Sequence, residues 1–241
     1  ITFDDGWIDN YQYAFPILKK YRLSATIFLP TAYIENNDLF WQEKLCRMIY
    51  NLIQKHPKEA TNLLYSHGIE ILNTSPSLLK VEIQEHVNKI KTRTYNDINE
   101  LIESMGKILQ STDENTHIDR YMNWSQIREM SKYNISFESH AHSHRILTRL
   151  DRKVVEDELF KSAQIIGREL DKDVKYIAYP NGDSDRTVHE IAKISGYLVG
   201  FGTESGINSN NSNLYDIKRI NIHENKARNI PLLMMSILGY Y

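Results

Sequence analysis

The first thirty residues, ITFDDGWIDNYQYAFPILKKYRLSATIFLP (residues 1–30), contain two strand-like runs with a helical segment between them. Thr2-Phe3 predicts a short strand that leads into the polar turn Asp4-Asp5-Gly6, and residues 10–21 have helical spacing. Residues 24–29, SATIFL, form a β-branched and aromatic run before a proline, which is typical of a buried parallel strand. Strand, helix and strand together predict a βαβ unit and therefore a parallel sheet.

This alternation is interrupted once and then resumes. Residues 40–109 carry apolar side chains at helical spacing only, with no strand-like run among them. After Trp124, further strands are predicted near residues 135–137, 175–179, 197–201 and 215–220. A length of 241 residues fits one α/β barrel. We therefore predict a single α/β domain over residues 1–241. Its helical insertion, about residues 38–119, leaves after the second strand and is expected near the rim formed by the carboxyl ends of the strands.

The composition excludes several classes of protein. Hydrophobic residues make up 41% and charged residues 25% of the chain, which is typical of a globular domain and not of a disordered or collagen-like chain. The formal net charge of −2 gives no positive field toward phosphate backbones, so we expect no nucleic-acid partner. Cys46 is the only cysteine, so any metal must be bound by histidine and carboxylate.

The chain contains no run of about 18 uncharged apolar residues, so we expect no transmembrane segment within it. It opens in the middle of a predicted strand and without a methionine. We therefore expect the native N-terminus to be missing, and an export signal could have preceded Ile1. The sequence gives neither a cellular location nor an oligomeric state.

The first candidate for chemistry is the pair Asp4-Asp5 at the predicted end of the first strand. Active sites of α/β barrels lie at the carboxyl ends of the strands. Two adjacent carboxylates point in different directions on a turn, so one can bind a cation while the other faces a substrate. The alternative is an aspartate cap on the following helix, with Gly6 permitting the turn.

The second candidate is the segment Ser139-His140-Ala141-His142-Ser143-His144, which also follows a predicted strand. Three histidines in five residues are difficult to explain by packing, because buried imidazoles need partners and charged ones repel each other. His140 and His144 can converge on one ion if the segment turns. Two imidazoles and one carboxylate make an open three-ligand metal site of the kind that zinc hydrolases use. The alternative is a solvated polar loop.

These residues resemble the motifs of the polysaccharide deacetylases of carbohydrate esterase family 4, also called the NodB-homology domain. Residues 2–6, TFDDG, are similar to the opening motif of that family, and residues 140–144, HAHSH, are similar to its HxxxH motif. Tyr179-Pro180-Asn181-Gly182 is similar to the third motif. The resemblance covers roughly residues 1–35 and 121–223 and leaves the helical insertion unexplained.

The resemblance implies a distorted (β/α) barrel with a divalent metal ion, usually Zn²⁺, held by Asp5, His140 and His144. Asp4 is then the general base that activates water for attack on an N-acetyl carbonyl. The resemblance also implies that the backbone N–H of Asn181 helps to stabilise the oxyanion. A bacterial protein of the cell envelope or the cytoplasm is expected on the same ground.

A proton donor for the departing amine is also required, and a histidine suits this role. His223, in the sequence Ile220-Asn221-Ile222-His223, loosely matches the late Leu-x-His motif of the family and follows the strand predicted at residues 215–220. We therefore expect His223 to be the general acid, with His142 as its rival.

The sequence also departs from the family pattern. Ala178 stands where many members carry the arginine that orients the base. Either another group such as Arg219 takes that role, or Asp4 is oriented differently. Glu138 stands where glycine is common, which places an extra carboxylate near the metal as a candidate support for an imidazole.

We expect the substrate to be an N-acetylated amino sugar of a bacterial cell-envelope or exopolysaccharide glycan. Trp7 and Tyr179 are candidates for stacking on the sugar, with packing in the core or at the rim as the alternative for both. Two other readings remain open. One is a metal-dependent hydrolase of another C–N amide bond, such as a formyl or non-sugar amide. The other is a barrel that binds glycan without catalysis.

Overall fold

The computed structural model describes residues 1–36, 38–73, 75–110, 120–223 and 227–238. Its sheet has five parallel strands, arranged in space in the order in which they occur in the sequence. The strands are β1 (Thr2–Phe3), β2 (Ala25–Leu29), β3 (Ile135–Ser139), β4 (Tyr176–Ala178) and β5 (Val199–Phe201). The sheet curls into a half-barrel, so the predicted α/β fold with a distorted barrel is confirmed.

Helices occupy most of the segments between these strands. In chain order they are α1 (Phe15–Tyr21), α2 (Trp41–Lys55), α3 (Pro57–Ser66), α4 (Pro76–Ile90), α5 (Tyr95–Leu109), α6 (Trp124–Met130), α7 (Arg152–Leu170), α8 (Arg186–Ile194) and α9 (Ile230–Ile237). A π-helical segment, Asn10–Ala14, precedes α1. Capping residues explain where two of these helices begin. Asn123 and Gln126 form a capping box before α6, and the Asp185 side chain accepts the backbone N–H of Val188 at the start of α8.

The sheet is held by apolar packing against these helices. Ile27 of β2 and Phe137 of β3 are fully buried, in one cluster with Trp124 of α6 and Ile166 of α7. Burying a side chain of this size contributes about 1.5–3 kcal/mol. In the β2–β3 pair, Leu29 lies opposite Ser139, so these two strands end together. Loops that follow the parallel strands therefore meet at one edge of the sheet.

One predicted strand is wrong. Residues 215–220 form no strand, and Ile217 makes only an isolated parallel bridge to Phe201. The N–H of Ile217 donates to the carbonyl of Gly200, and its carbonyl accepts the N–H of Gly202. Just before this point the chain turns, with the N–H of Asp216 donating to the carbonyl of Asn213, so the pairing with β5 does not extend to a regular strand.

The chain divides into two compact units, one of Ile1–Asn36 with Asp119–Tyr241 and the other of Asn37–Ile118. We call them the sheet unit and the helical unit. The described residues of the helical unit form α2 to α5 and contain no strand, as predicted for the insertion. Its core consists of buried side chains on one face of each helix, such as Leu45, Leu79 and Met105. In the described parts of both units, no helix is long and apolar enough to cross a membrane.

Candidate active site

The candidate site lies in the sheet unit, just beyond the carboxyl ends of β1 and β3. Asp4 and Asp5 follow β1, and His140 follows β3. Asp5 has a left-handed backbone with φ 71°, and Gly6 follows at φ 64°. A Cβ on Gly6 would lie 3.0 Å from Leu29, so a glycine is needed for this close turn. The turn directs the Asp5 side chain toward the histidines.

Asp5, His140 and His144 converge. The Oδ1 atom of Asp5 lies 3.3 Å from Nε2 of His140 and 3.1 Å from Nε2 of His144. One ligand atom from each residue can be chosen so that all three lie within 4.8 Å of one another. Both histidines are buried. The predicted trio is therefore assembled in one place.

The donor set fits a divalent metal ion. The Nδ1 atom of His140 lies 2.7 Å from the carbonyl oxygen of Ala178, and because a carbonyl only accepts, this nitrogen carries the proton. In the neutral ring, Nε2 then presents a lone pair to the Asp5 carboxylate. Two ligands of a tetrahedral Zn²⁺ lie about 3.4 Å apart, close to the separations seen here. In the absence of a metal ion, a proton on an imidazole can bridge these atoms, and a bound metal ion would take its place.

Burial and the short distances between Asp5, His140 and His144 shift the pKa values of all three side chains. Burial would raise the pKa of Asp5, but hydrogen bonds and charge from His140 and His144 lower that pKa far below its ordinary value. For His140, burial works against the charged form, yet the carboxylates of Asp5 and Asp4 raise its pKa. Burial lowers the pKa of His144. The pKa values of the two imidazoles are therefore shifted in opposite directions, although both rings face the Asp5 carboxylate.

Trp7 contacts a member of the trio. Its indole N–H donates to Oδ2 of Asp5 at 3.1 Å, which leaves Oδ1 to the histidines. The indole ring stacks on Tyr121 with centroids 4.8 Å apart, and Tyr33 packs on Tyr121 in turn. Trp7 is only partly buried, so its predicted contact with a sugar stays a prediction. The structure adds a second role for Trp7, which is to orient Asp5.

Asp4 is held by Arg219. The guanidinium donates from Nη1 to Oδ1 at 2.8 Å and from Nη2 to Oδ2 at 2.7 Å, a bidentate pair. Its Nε donates to the carbonyl of Gly202, and its Cζ lies 5.9 Å from the centroid of Phe28. The sequence alone leaves open whether Arg219 replaces the arginine that is absent at position 178 or Asp4 is oriented differently. The structure supports Arg219 as the residue that orients Asp4. It reaches Asp4 from a different part of the chain.

The loop that carries the histidines has a partner that the sequence analysis missed. Glu158 of α7 is buried and accepts the backbone N–H groups of His142 and Ser143 at 3.0 and 2.7 Å. Burial would raise the pKa of Glu158, but hydrogen bonds from Ser143 and Arg145 lower it below its ordinary value. A signal existed in the sequence, because position 158 lies on the apolar face of α7 with Val155 and Leu159.

Two predicted contacts are wrong. Tyr179 is fully buried, and its hydroxyl donates to the carbonyl of Tyr215, so it cannot stack on a sugar. The space beside it exists because residue 200 is a glycine. Glu138 does not support an imidazole. Its carboxylate accepts from Lys172 and from the backbone N–H groups at the start of β4, so it ties β3 to β4.

The other predicted residues, His142, Asn181 and His223, make different contacts. His142 turns its Nδ1 to the Thr31 hydroxyl at 2.9 Å, and burial lowers its pKa. Asn181 has a left-handed backbone with φ 61°, and its side-chain amide donates to Asp183. His223 is exposed, and within the described part of the chain no ion pair links it to Asp4 or Asp5.

Comparison with known proteins places this site in a family. The family model for polysaccharide deacetylase matches residues 1–118 and 110–200. The protein YxkH of Bacillus subtilis (strain 168), named as a polysaccharide deacetylase, is 23% identical over 222 residues, which is 92% of this chain and 50% of that protein. The chain thus spans about half the length of this curated relative.

Solved structures share the fold. The Streptococcus pyogenes deacetylase PplD, determined in complex with acetate, matches with a TM-score of 0.60 at 21% identity over 98% of this chain and 68% of its own. The polysaccharide deacetylase BC0361 of Bacillus cereus matches with a TM-score of 0.58 at 18% identity over 98% of this chain and 50% of its own. Family members act as hydrolases on N-acetyl amide bonds. Since the family model matches more than half of the sequence, this chain belongs to the polysaccharide deacetylase family.

Proposed function

We propose that this chain is a metal-dependent hydrolase that removes N-acetyl groups from amino sugars of a bacterial cell-envelope or exopolysaccharide glycan. The observation that carries the proposal is the convergence of Asp5, His140 and His144 beside an Asp4 carboxylate that Arg219 holds. A glycan-binding barrel without catalysis has no use for the second, oriented carboxylate.

Asp5, His140 and His144 would hold the divalent ion, with Zn²⁺ as the expected metal. When bound, such an ion supplies a Lewis acid for the amide carbonyl and lowers the pKa of water. The Ala178 carbonyl fixes the His140 ring so that Nε2 is the ligand atom, and the Trp7 indole keeps Oδ1 of Asp5 toward both imidazoles. These contacts supply the rigidity that a metal site requires.

Asp4 would act as the general base. Its carboxylate is adjacent in sequence to Asp5 but is paired with Arg219 instead of the histidines. It can therefore accept the proton of the attacking water without being a metal ligand. The Asp4 side chain is 26% exposed, so water and substrate can reach it.

Two further roles complete the proposed reaction. The backbone N–H of Asn181 would donate to the oxyanion of the tetrahedral intermediate. His223 would protonate the departing amine, which is a poor leaving group when unprotonated. A His223→Ala enzyme that keeps both its metal and its turnover would end the second assignment.

The substrate class is proposed from the open geometry of the site. Asp4 and Asp5 are both partly exposed at the sheet edge, where a large glycan can approach. Trp7 is partly buried and offers one aromatic face beside Asp5.

The test combines metal analysis with acetate release. The purified chain is measured for bound zinc and then incubated with N-acetylated oligosaccharides, N-formylated analogues and simple non-sugar amides. Stoichiometric zinc together with acetate from the sugars supports the proposal. Metal-dependent release only from formyl or non-sugar amides indicates the other hydrolase. Retention of glycan with neither metal nor turnover indicates a binding barrel.

A further inference from the structure

The loop that carries both histidine ligands has an unfavourable backbone. Ala141 has φ 59° and His144 has φ 53°, and both are in the left-handed region that residues other than glycine rarely adopt. Ala141 is fully buried, and His144 is 8% exposed. Left-handed residues of this kind persist only where surrounding contacts determine them. Contacts from outside the loop must therefore hold it in the shape that turns both imidazoles to Asp5.

Glu158 accepts four hydrogen bonds from this loop. Its Oε2 accepts the N–H groups of His142 and Ser143, and its Oε1 accepts the Ser143 hydroxyl at 2.5 Å and Nη2 of Arg145 at 2.6 Å. The contacted residues precede and follow His144. The side chain is 3% exposed. The carboxylate thus holds the backbone before a proposed metal ligand and the Arg145 side chain after it, without a hydrogen bond to Asp5 or to either imidazole.

The loop is also held by Ser162 of the same helix and, from the segment after β2, by the N–H of Ala32, which donates to the carbonyl of His142 at 2.9 Å. The Ser139 hydroxyl donates to the Ser162 hydroxyl of α7 at 2.8 Å, and the N–H of Ala141 donates to Ser139 Oγ at 3.1 Å. Glu158 and Ser162 are four residues apart and therefore lie on one face of α7. The Arg145 guanidinium balances the charge of Glu158, so the buried carboxylate is both paired and hydrogen-bonded.

We propose that Glu158 is a positioning residue of the metal site, which sets the affinity for the metal by holding the His140–His144 loop in its left-handed shape. This inference rests on the proposed function, because it requires Asp5, His140 and His144 to bind a metal ion. Every contact that carries it lies between α7 and the loop.

The test is Glu158→Gln. The amide has nearly the same size but presents one acceptor and one donor. Whichever way it is turned, an NH₂ group faces either the two backbone N–H groups or the Arg145 guanidinium. The loop then loses part of its support, and we expect the dissociation constant for Zn²⁺ to rise by about 10- to 100-fold, the usual effect of losing a group that supports a ligand. The measurement is competition with a chromophoric chelator on the metal-free protein.

The matched control is Glu169→Gln, on the same helix. Glu169 pairs with Arg128 and Arg168 at the surface, so this change removes a carboxylate from α7 without affecting the loop. A second readout is the visible spectrum of the Co²⁺-loaded protein, which reports ligand geometry. Glu158→Gln is expected to change this spectrum and Glu169→Gln to leave it unchanged. A purely structural role would lower the melting temperature and leave the spectrum as it is.

The outcomes separate this inference from the proposed function. Wild-type Zn²⁺ affinity and Co²⁺ spectrum in a folded Glu158→Gln protein would overturn the inference and leave the function standing. A wild-type chain that binds no metal would overturn both. If Glu158→Gln does not fold, Ser143→Ala removes one donor to the same carboxylate. A weaker Zn²⁺ affinity of that variant would support the inference, and an unchanged affinity and spectrum would refute it.

Discussion

The two units use their interiors differently. In the helical unit, the side chains that are buried in the described residues are apolar, and those within α2, α4 and α5 lie on one face of their helix. In the sheet unit, the buried set also includes polar and charged residues: Asn10, Thr31, Glu138, Ser139, His140, His144, Glu158, Ser162 and Ser236. Burying such groups costs free energy unless they are hydrogen-bonded or paired. Apolar packing accounts for the buried side chains of the helical unit, whereas the sheet unit also buries polar groups of the candidate active site.

Backbone strain follows the same division. In the described part of the helical unit, the non-glycine residue with positive φ is Gln110, which directly follows α5 as an ordinary helix end. In the sheet unit, Asp5, Ala141, His144 and Asn181 have positive φ and belong to the three motifs. Outside the motifs, Arg22 and Asp171 have positive φ directly after helices, and Glu35 has positive φ in a turn. Strain at a site is kept where function needs a particular geometry. His144 shows both departures, because it is buried and has a positive φ, whereas His140 is buried and Asp5 has a positive φ.

The largest expected effect tests this division directly. His140→Ala removes a buried imidazole from the trio, and we expect zinc content and acetate release to fall together to background. His86→Ala is the matched control from the helical unit, where Nε2 of the imidazole is hydrogen-bonded to the backbone carbonyl of Glu70. Metal analysis and turnover measure both variants. Full zinc occupancy in His140→Ala would remove the metal site as placed here.

The sequence alone located most of this site but not its supports. Asp5, His140 and His144 could be found because their residue types are rare together and follow strands. Glu158 was missed because a glutamate on a helix is usually solvated. Tyr179 was misplaced because strand alternation does not show which face is covered, and here a glycine at position 200 lets the ring enter the core. Long-range partners such as Arg219 for Asp4 required the fold, and the sequence offered Arg219 only as an alternative.

The second prediction distinguishes the roles of the neighbouring carboxylates Asp4 and Asp5. Asp4→Asn should keep the metal and lower turnover by about 10²- to 10⁴-fold, since Asp4 moves a proton but binds no metal. Asp5→Asn should lose metal as well as turnover. Zinc content and acetate release are measured for both variants. Near-wild-type turnover in Asp4→Asn would refute the assignment of Asp4 as the base.

A smaller effect is expected when the base is misaligned and not removed. Arg219→Lys keeps a positive charge near Asp4 but cannot form the bidentate pair. We expect kcat to fall roughly 10- to 100-fold, the scale of a small misplacement, with zinc content and KM little changed. Arg186→Lys, at an exposed pair on α8, is the control. An unchanged kcat in Arg219→Lys would mean that Asp4 is oriented by other groups.

The smallest effect on chemistry is expected from the helical unit. Leu45 of α2 is fully buried, and Leu45→Ala should lower the free energy of unfolding by about 2–5 kcal/mol through the cavity it leaves. Because the trio, Asp4 and Arg219 all belong to the sheet unit, zinc affinity should stay unchanged at temperatures where the protein is folded. Leu78→Ala, at an exposed position of α4, controls for the loss of a leucine and should change neither quantity. Chemical denaturation and chelator competition measure the two quantities separately. If Leu45→Ala weakens zinc binding as strongly as Glu158→Gln does, the metal site depends on the packing of the helical unit, and the division between the two units fails.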